Sequence, residues 1–226
     1  MTQHQLAHRI LLASHSPRRR RLLTLLGLDF DMAAVETPEE LDTPMAADPA
    51  TLAAHLAAEK ALAARTEGLA EEALVLAFDT IVVHEGSVMG KPADDEDAWR
   101  MLRSLSGRTH EVVTGVALLC PDEESPTAFA VTTRVQMDDL SDARIIEWMG
   151  SGEFRGCAGA YNIEGQVADV AATECFNNVA GLPLCHLYQH LTGPDAPGCL
   201  PQTPKSPCAA CDMLLGRTCE LGPQLA

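Results

Sequence analysis

The 226-residue sequence predicts an α/β protein built on a mixed β-sheet. Three observations carry that prediction. Apolar runs of strand length interleave with leucine- and alanine-rich runs of helical length. Hairpin turns occur as well as crossovers, so parallel and antiparallel pairs must coexist. The length, with 46% hydrophobic residues, suits one large domain or two small lobes around a substantial core.

The elements follow in order. Residues 9–14, RILLAS, read as a short buried strand, after which Ser16 and Pro17 supply a helix N-cap and first position. Leu22, Leu23, Leu25 and Leu26 form that helix's apolar stripe and Gly27 ends it. Residues 30–48 are polar and proline-punctuated, so they read as loop with at most a short strand. The alanine-rich run from Pro49 to Ala64 has high helix propensity. ALVLAF, 73–78, is a continuous apolar strand, and TIVVHEGSVMG after Asp79 is a hairpin turning at Glu85-Gly86. A helix spans about Asp94 to Leu105, and 110–119 and 127–137 alternate like paired strands around the turn PDEESP. Ser141 caps a helix to Met149, 161–172 is strand-like, and 182–191 is a final helix.

Charge excludes some functions. Sixteen Lys and Arg against 32 Asp and Glu leave a net charge of −16, the wrong sign for non-specific nucleic-acid or anionic-membrane binding. No apolar run reaches the roughly 18 residues a membrane span requires. In residues 1–21 the basic cluster follows the apolar stretch, the reverse of a secretory signal, so a soluble cytoplasmic protein is expected.

Against that acidity, a quarter of all cationic side chains sit in Arg18–Arg21 at the mouth of the first helix. Free N–H groups and the helix dipole favour an anion there. Because successive residues turn by about 100°, Arg18 and Arg19 are the two best placed. Ser14 and Ser16, in the same loop, are substrate-binding candidates. Lys60, in LAAEKALAA, and Lys91, held between Gly90 and Pro92, are further cations suited to a polyphosphate. Asp79, read as a strand-end carboxylate, and Glu39, in the loop after Phe30, are hard oxygen donors suited to Mg²⁺ or Mn²⁺. The stretch 156–165 has three glycines that let a ligand near the backbone, with Tyr161, Asn162 and Glu164 as polar edges. No P-loop, G-x-S-x-G or HExxH pattern is present.

Seven motifs in order resemble the Maf family of nucleoside triphosphate pyrophosphatases: LASHSPRRRRLL (12–23), AAEKA (57–61), FDTIV (78–82), GKP (90–92), LSGRTHEVVTGVAL (105–118), GCAGAYNIEG (156–165) and VAGLPL (179–184). The resemblance implies a two-lobed α/β fold with an elongated mixed sheet and a central cleft, similar to inosine triphosphate pyrophosphatases. It implies house-cleaning hydrolysis between the α- and β-phosphates, with a divalent metal cation, Asp79 as proton acceptor and Arg18, Arg19, Lys60 and Lys91 as essential cations. Glu39 falls on the family's loop carboxylate, and a homodimer is implied. The three specificity positions fall on Arg18, Thr80 and Glu164. Arg and Thr agree with a dTTP/UTP branch, whereas Glu agrees with a branch favouring 7-methylated GTP. A carboxylate cannot donate to a base carbonyl as an amide does. The alternative functions are therefore a 7-methyl-GTP-type pyrophosphatase and, from the family's septum-formation name, a nucleotide-binding regulator of cell division.

The resemblance covers residues 10–192, essentially the whole of a body domain placed at 1–192, and leaves 193–226 as a Pro/Cys-rich tail, expected to be a poorly ordered appendage. Cys199, Cys208, Cys211 and Cys219 lie in it, Cys208 and Cys211 forming a C-x-x-C. That spacing, with His186 and His190 four apart on the last predicted helix, raises structural zinc or a redox thiol pair as lesser readings. The body's four cysteines call for no functional reading, and a chain of this length has no need of disulfides.

Overall fold

A computed structural model describes residues 9–225; Met1–His8, part of the segment read above for a signal, and Ala226 lie outside it. Seven strands form one mixed sheet in the order β2-β1-β3-β5-β6-β7, with β4 paired to β3. The strands are β1 Arg9–Ala13, β2 Asp31–Ala33, β3 Ala73–His84, β4 Ser87–Met89, β5 Thr109–Leu119, β6 Thr127–Met137 and β7 Ala168–Asp169. β2, β1 and β3 run parallel, and every other pairing is antiparallel. The helices are α1 Pro17–Thr24, α2 Pro49–Thr66, α3 Asp95–Leu105, α4 Asp142–Gly150, α5 Phe176–Val179, α6 Leu184–Thr192, α7 Cys208–Leu215 and α8 Gly222–Leu225. The mixed α/β class is thus the one the sequence predicts. Among the described residues, no helix is long and apolar enough to cross a membrane.

Strand periodicity sorts the core into two layers. Leu74, Leu76 and Phe78 of β3 face the larger cluster, with Leu22, Leu23 and Leu26 of α1, Leu102 of α3, Trp148 of α4 and Leu187 of α6. Ala73, Val75 and Ala77 face the opposite side, where α2 lays down Ala57, Ala61 and Ala64. Small residues on both surfaces bring α2 close to the sheet. Gly115 of β5 brings it closest, because a β-carbon there would lie 1.9 Å from the Ala53 carbonyl oxygen.

Four expectations need correction. β3 does not stop at Phe78 but continues to His84, so Asp79 is a mid-strand residue paired with Gly115. A buried acid interrupts an apolar pattern without interrupting the backbone ladder. Residues 161–172 are mostly turns, with only the two-residue β7, because Ala160 and Gln166 adopt positive φ and break the extended run. The last helix predicted, α6, is followed by two more in the tail. Finally, Cys120 at the end of β5 forms a disulfide with Cys199, so one body cysteine and one tail cysteine do have a structural part.

That bond is one of several ties between body and tail. Lys205 N–H donates to the Leu26 carbonyl at 2.8 Å, Asp29 N–H donates to Gln202 Oε1 at 2.9 Å, and Cys199 and Cys211 join the larger core cluster. The tail therefore packs on the body instead of standing off it. His190 stacks on Phe129, with ring centroids 3.7 Å apart, so it does not join the tail thiols.

Candidate active site

β1 delivers the chain to the Ser14–Ser16 loop and α1 begins at once. Ser16 Oγ accepts the Arg19 N–H at 3.3 Å, and Ser16 N–H donates to Ser14 Oγ at 3.1 Å. The first turn of α1 carries no acid, so the positive end of its dipole is not neutralised locally.

The four arginines then diverge. Arg19 turns back over the sheet: Nε–H donates to the Gly181 carbonyl at 2.9 Å and Nη2–H to Thr80 Oγ1 at 3.0 Å. Its guanidinium lies 5.9 Å from the centre of the Phe78 ring, at the outer reach of a cation–π contact. Arg18 crosses to the 153–162 segment, where Nη2–H donates to Cys157 Sγ at 3.1 Å. Arg20 is exposed, and Arg21 pairs with Glu164.

Consecutive residues of β3 supply opposite faces of the sheet. Asp79 points to α2 and forms a buried ion pair with Lys60, whose Nζ also donates to Glu39 Oε1 at 3.1 Å. Lys91 pairs with the same Glu39 oxygen. Thr80 points to α1, where its hydroxyl meets Arg19 and, at 3.0 Å, Thr114 Oγ1. Asp79 is only 3% exposed. Burial pushes its carboxyl above the usual range, a rise that the Lys60 charge opposes without cancelling. Burial would raise Glu39 too, but the Lys60 and Lys91 charges outweigh it and hold that carboxyl below its ordinary value.

Ser14, Ser16, Arg18, Arg19, Glu39, Lys60, Asp79, Thr80 and Lys91 all line one cleft of about 630 Å³. That size is ordinary for a small-molecule site. Glu164 is the exception. It sits in the turn Ile163–Gly165, held by Arg21, and lines a separate cavity of about 1110 Å³ with Arg134 and Arg217.

Several residues at or behind the cleft wall escape sequence reasoning. Thr114 Oγ1 donates to the Asn178 carbonyl at 3.0 Å, and Asn178 Nδ2 donates to the carbonyls of Val112 and Val131 at 3.1 and 2.9 Å. This buried chain braces Thr80 from behind, and its one visible signal is the pair Thr114-Gly115 inside the otherwise apolar run 112–119. Cys157 and the Gly181 carbonyl, which hold Arg18 and Arg19, carry no local signal of that part.

A capped, unneutralised helix N-terminus, two braced arginines and a buried lysine–carboxylate group surround one cleft of this α/β protein, an arrangement chemically suited to an anionic ligand and to acid–base chemistry. The chain belongs to the Maf-like protein family, whose model matches residues 9–193. It is 43% identical over 188 residues to the dTTP/UTP pyrophosphatase of Geobacter sulfurreducens, covering 81% of this chain and 95% of that protein. It is also 43% identical over 187 residues to the dTTP/UTP pyrophosphatase of Pelotomaculum thermopropionicum, with 80% and 94% covered. A partial likeness to the solved structure of the Staphylococcus aureus Ham1 protein has a TM-score of 0.40 and 18% identity, covering 58% of this chain and 72% of that one.

Proposed function

We propose that this chain is a nucleoside triphosphate pyrophosphatase that acts first on dTTP and UTP, releasing the nucleoside monophosphate and pyrophosphate. The observation that carries the reading is the convergence of Arg18, Arg19, Lys60 and Lys91 with Asp79 and Glu39 in one cleft. The names of the relatives support the substrate class.

The chemistry follows from the charges. A triphosphate is too anionic for water to approach its α-phosphorus until it is neutralised. The α1 N-terminus and Arg18 receive phosphate oxygens, Arg19 presents a fixed donor beside Thr80, and Lys60 and Lys91 offset charge on departing pyrophosphate. Asp79 orients and deprotonates the water. Its raised pKa makes it a better base than an exposed aspartate.

Asp79 and Glu39 fit a hard divalent cation. Both carboxylates already bond one cationic centre, the Lys60 ammonium. Among the described residues no three acid, imidazole or thiol groups form a ready metal cage. Two hard carboxylates side by side would suit Mg²⁺ or Mn²⁺ shared with substrate phosphates. When bound, such an ion neutralises phosphate oxygens.

Within the same reading the enzyme works as a homodimer in the cytoplasm. The test is pyrophosphate release from dTTP, UTP, CTP and 7-methyl-GTP with Mg²⁺ or Mn²⁺. Release fastest from dTTP and UTP supports the proposal, whereas nucleotide binding without release from any of the four overturns it. Because Glu164 lies outside the cleft, Glu164→Gln is expected to leave the order of substrates unchanged.

A further inference from the structure

Thr114 lies fully buried behind the cleft wall, and its hydroxyl touches two oxygens. One is the Asn178 carbonyl oxygen and the other is Thr80 Oγ1, each at 3.0 Å. A threonine hydroxyl has one proton to give, and a carbonyl oxygen has none. The Thr114 proton therefore goes to Asn178, since otherwise two lone-pair oxygens would face each other at 3.0 Å in a buried place. The same reasoning at the next contact sends the Thr80 proton to Thr114.

Thr80 then has no proton left for the cleft. One of its two lone pairs takes the Arg19 Nη2–H at 3.0 Å, and the other remains. Thr80 is half-buried and lines the cleft, so what it offers there is an acceptor alone. Arg19 has the opposite character. Its Nε, Nη1 and Nη2 each give one N–H, to Gly181, Ser14 and Thr80, which leaves two of its five N–H groups. The wall thus shows a fixed acceptor beside a fixed donor.

We propose that Thr114 is a positioning residue that sets the hydrogen-bond sense of Thr80 and, through it, the choice between uracil-type and cytosine bases. This rests on the reading of the cleft as a nucleoside triphosphate pyrophosphatase site. Uracil and thymine carry a donor, N3–H, beside an acceptor, the adjoining carbonyl oxygen. Acceptor-only Thr80 receives N3–H while Arg19 donates to that carbonyl. Cytosine placed the same way turns an unprotonated N3 toward Thr80, so two lone pairs meet. A site built to hydrogen-bond one group rejects an analogue that leaves its polar atoms unpaired. Asn178 completes the device from α5. Its carbonyl holds the Thr114 proton, and its side chain donates to the Val112 and Val131 carbonyls, which ties α5 to β5 and β6.

The test is kcat/KM for pyrophosphate release from UTP and CTP in the wild type, Thr114→Val and Thr114→Ser. Valine has the shape of threonine without the hydroxyl, so the Thr80 proton loses its acceptor and turns to the cleft, where it meets cytosine N3. The UTP-to-CTP ratio should fall about tenfold or more in Thr114→Val, through a higher KM for UTP and a lower one for CTP. Thr114→Ser keeps the hydroxyl and should keep the wild-type ratio. Purely structural damage would lower both substrates alike and leave the ratio unchanged. Should Thr114→Val fail to fold, the wild type decides with N3-methyl-UTP, which lacks the donor and should be at least about tenfold poorer than UTP; equal use of the two overturns the inference. Release from UTP with the same ratio in Thr114→Val as in the wild type overturns this inference alone. Release from no nucleotide overturns the reading of the cleft and this inference with it.

Discussion

Gly115→Ala tests how the fold sets the chemistry. Gly115 pairs with Asp79 across β3 and β5, so a side chain there emerges on the face that meets α2. The added methyl would lie 1.9 Å from the Ala53 oxygen and 2.2 Å from its carbonyl carbon, both backbone atoms that no rotamer change can move. A carbon–oxygen contact needs about 3.3 Å, so α2 has to lift by about 1.4 Å at Ala53. Lys60 lies two turns further along the same face, and its ammonium is drawn off Asp79. Overpacking of this kind costs about 1–3 kcal/mol, and each kcal/mol lowers the melting temperature of a chain this size by about 2–4 °C. A misplacement of about 1 Å in a catalytic group costs on the order of 10²-fold in rate. Pyrophosphate release from UTP and thermal unfolding read the two effects. Gly150→Ala is the control, since nothing lies within 4 Å of its added methyl. A Gly115→Ala enzyme with wild-type rate and stability would refute the claim that backbone contact at this glycine sets the height of Lys60.

Further expectations follow from the site and the tail. Asp79→Asn loses about 10²–10⁴-fold in activity while keeping its stability, because burial already disfavours the charge; a fully active variant removes Asp79 from the role of base. Asp79 must be ionised to act, so activity falls as pH drops through its raised pKa. The acid limb of kcat/KM therefore sits above the ordinary aspartate value of about 4 and moves higher in Lys60→Met, which removes the opposing charge; a limb that stays put in that variant contradicts the pairing. Arg19→Lys cannot reach Gly181, Ser14 and Thr80 together and should lose about tenfold or more in kcat/KM, so equal activity would show that the braced geometry is dispensable. Burial lowers His110 to about 4, so its neutral form supports the fold above about pH 6.5 and that support is lost between pH 6.5 and 4; urea midpoints across that range should fall less in His110→Gln. After exposure to a mild oxidant, non-reduced peptide mapping should recover Cys120 joined to Cys199, and reduction should then cost about 2–4 kcal/mol of stability; a pair that stays free under oxidant refutes the bond.

Much of the fold is legible from local signals, because capping, propensity and alternation are local physics. The Ser16-Pro17 start of α1, the alanine run of α2 and the turn at Glu85-Gly86 all stand where the sequence places them. The site residues are legible as types, since a cluster of cations in an acidic chain and an acid after an apolar run are compositional facts. What the sequence cannot express is distance. Asp79 reads as the end of a strand because the energy that tolerates a buried carboxylate comes from Lys60, nineteen residues away. Glu164 reads as a neighbour of the base because motif order carries no direction, and the structure turns it to Arg21. The cysteines separate only in three dimensions, one pair bonded and a group of thiols gathered around Gly222, since residues from 120 to 219 meet through packing alone. The sequence by itself determined the elements and the chemical kinds of side chain at the cleft. The tertiary structure decided which of them meet, because ion pairing, burial and thiol proximity depend on contacts between segments far apart in the chain.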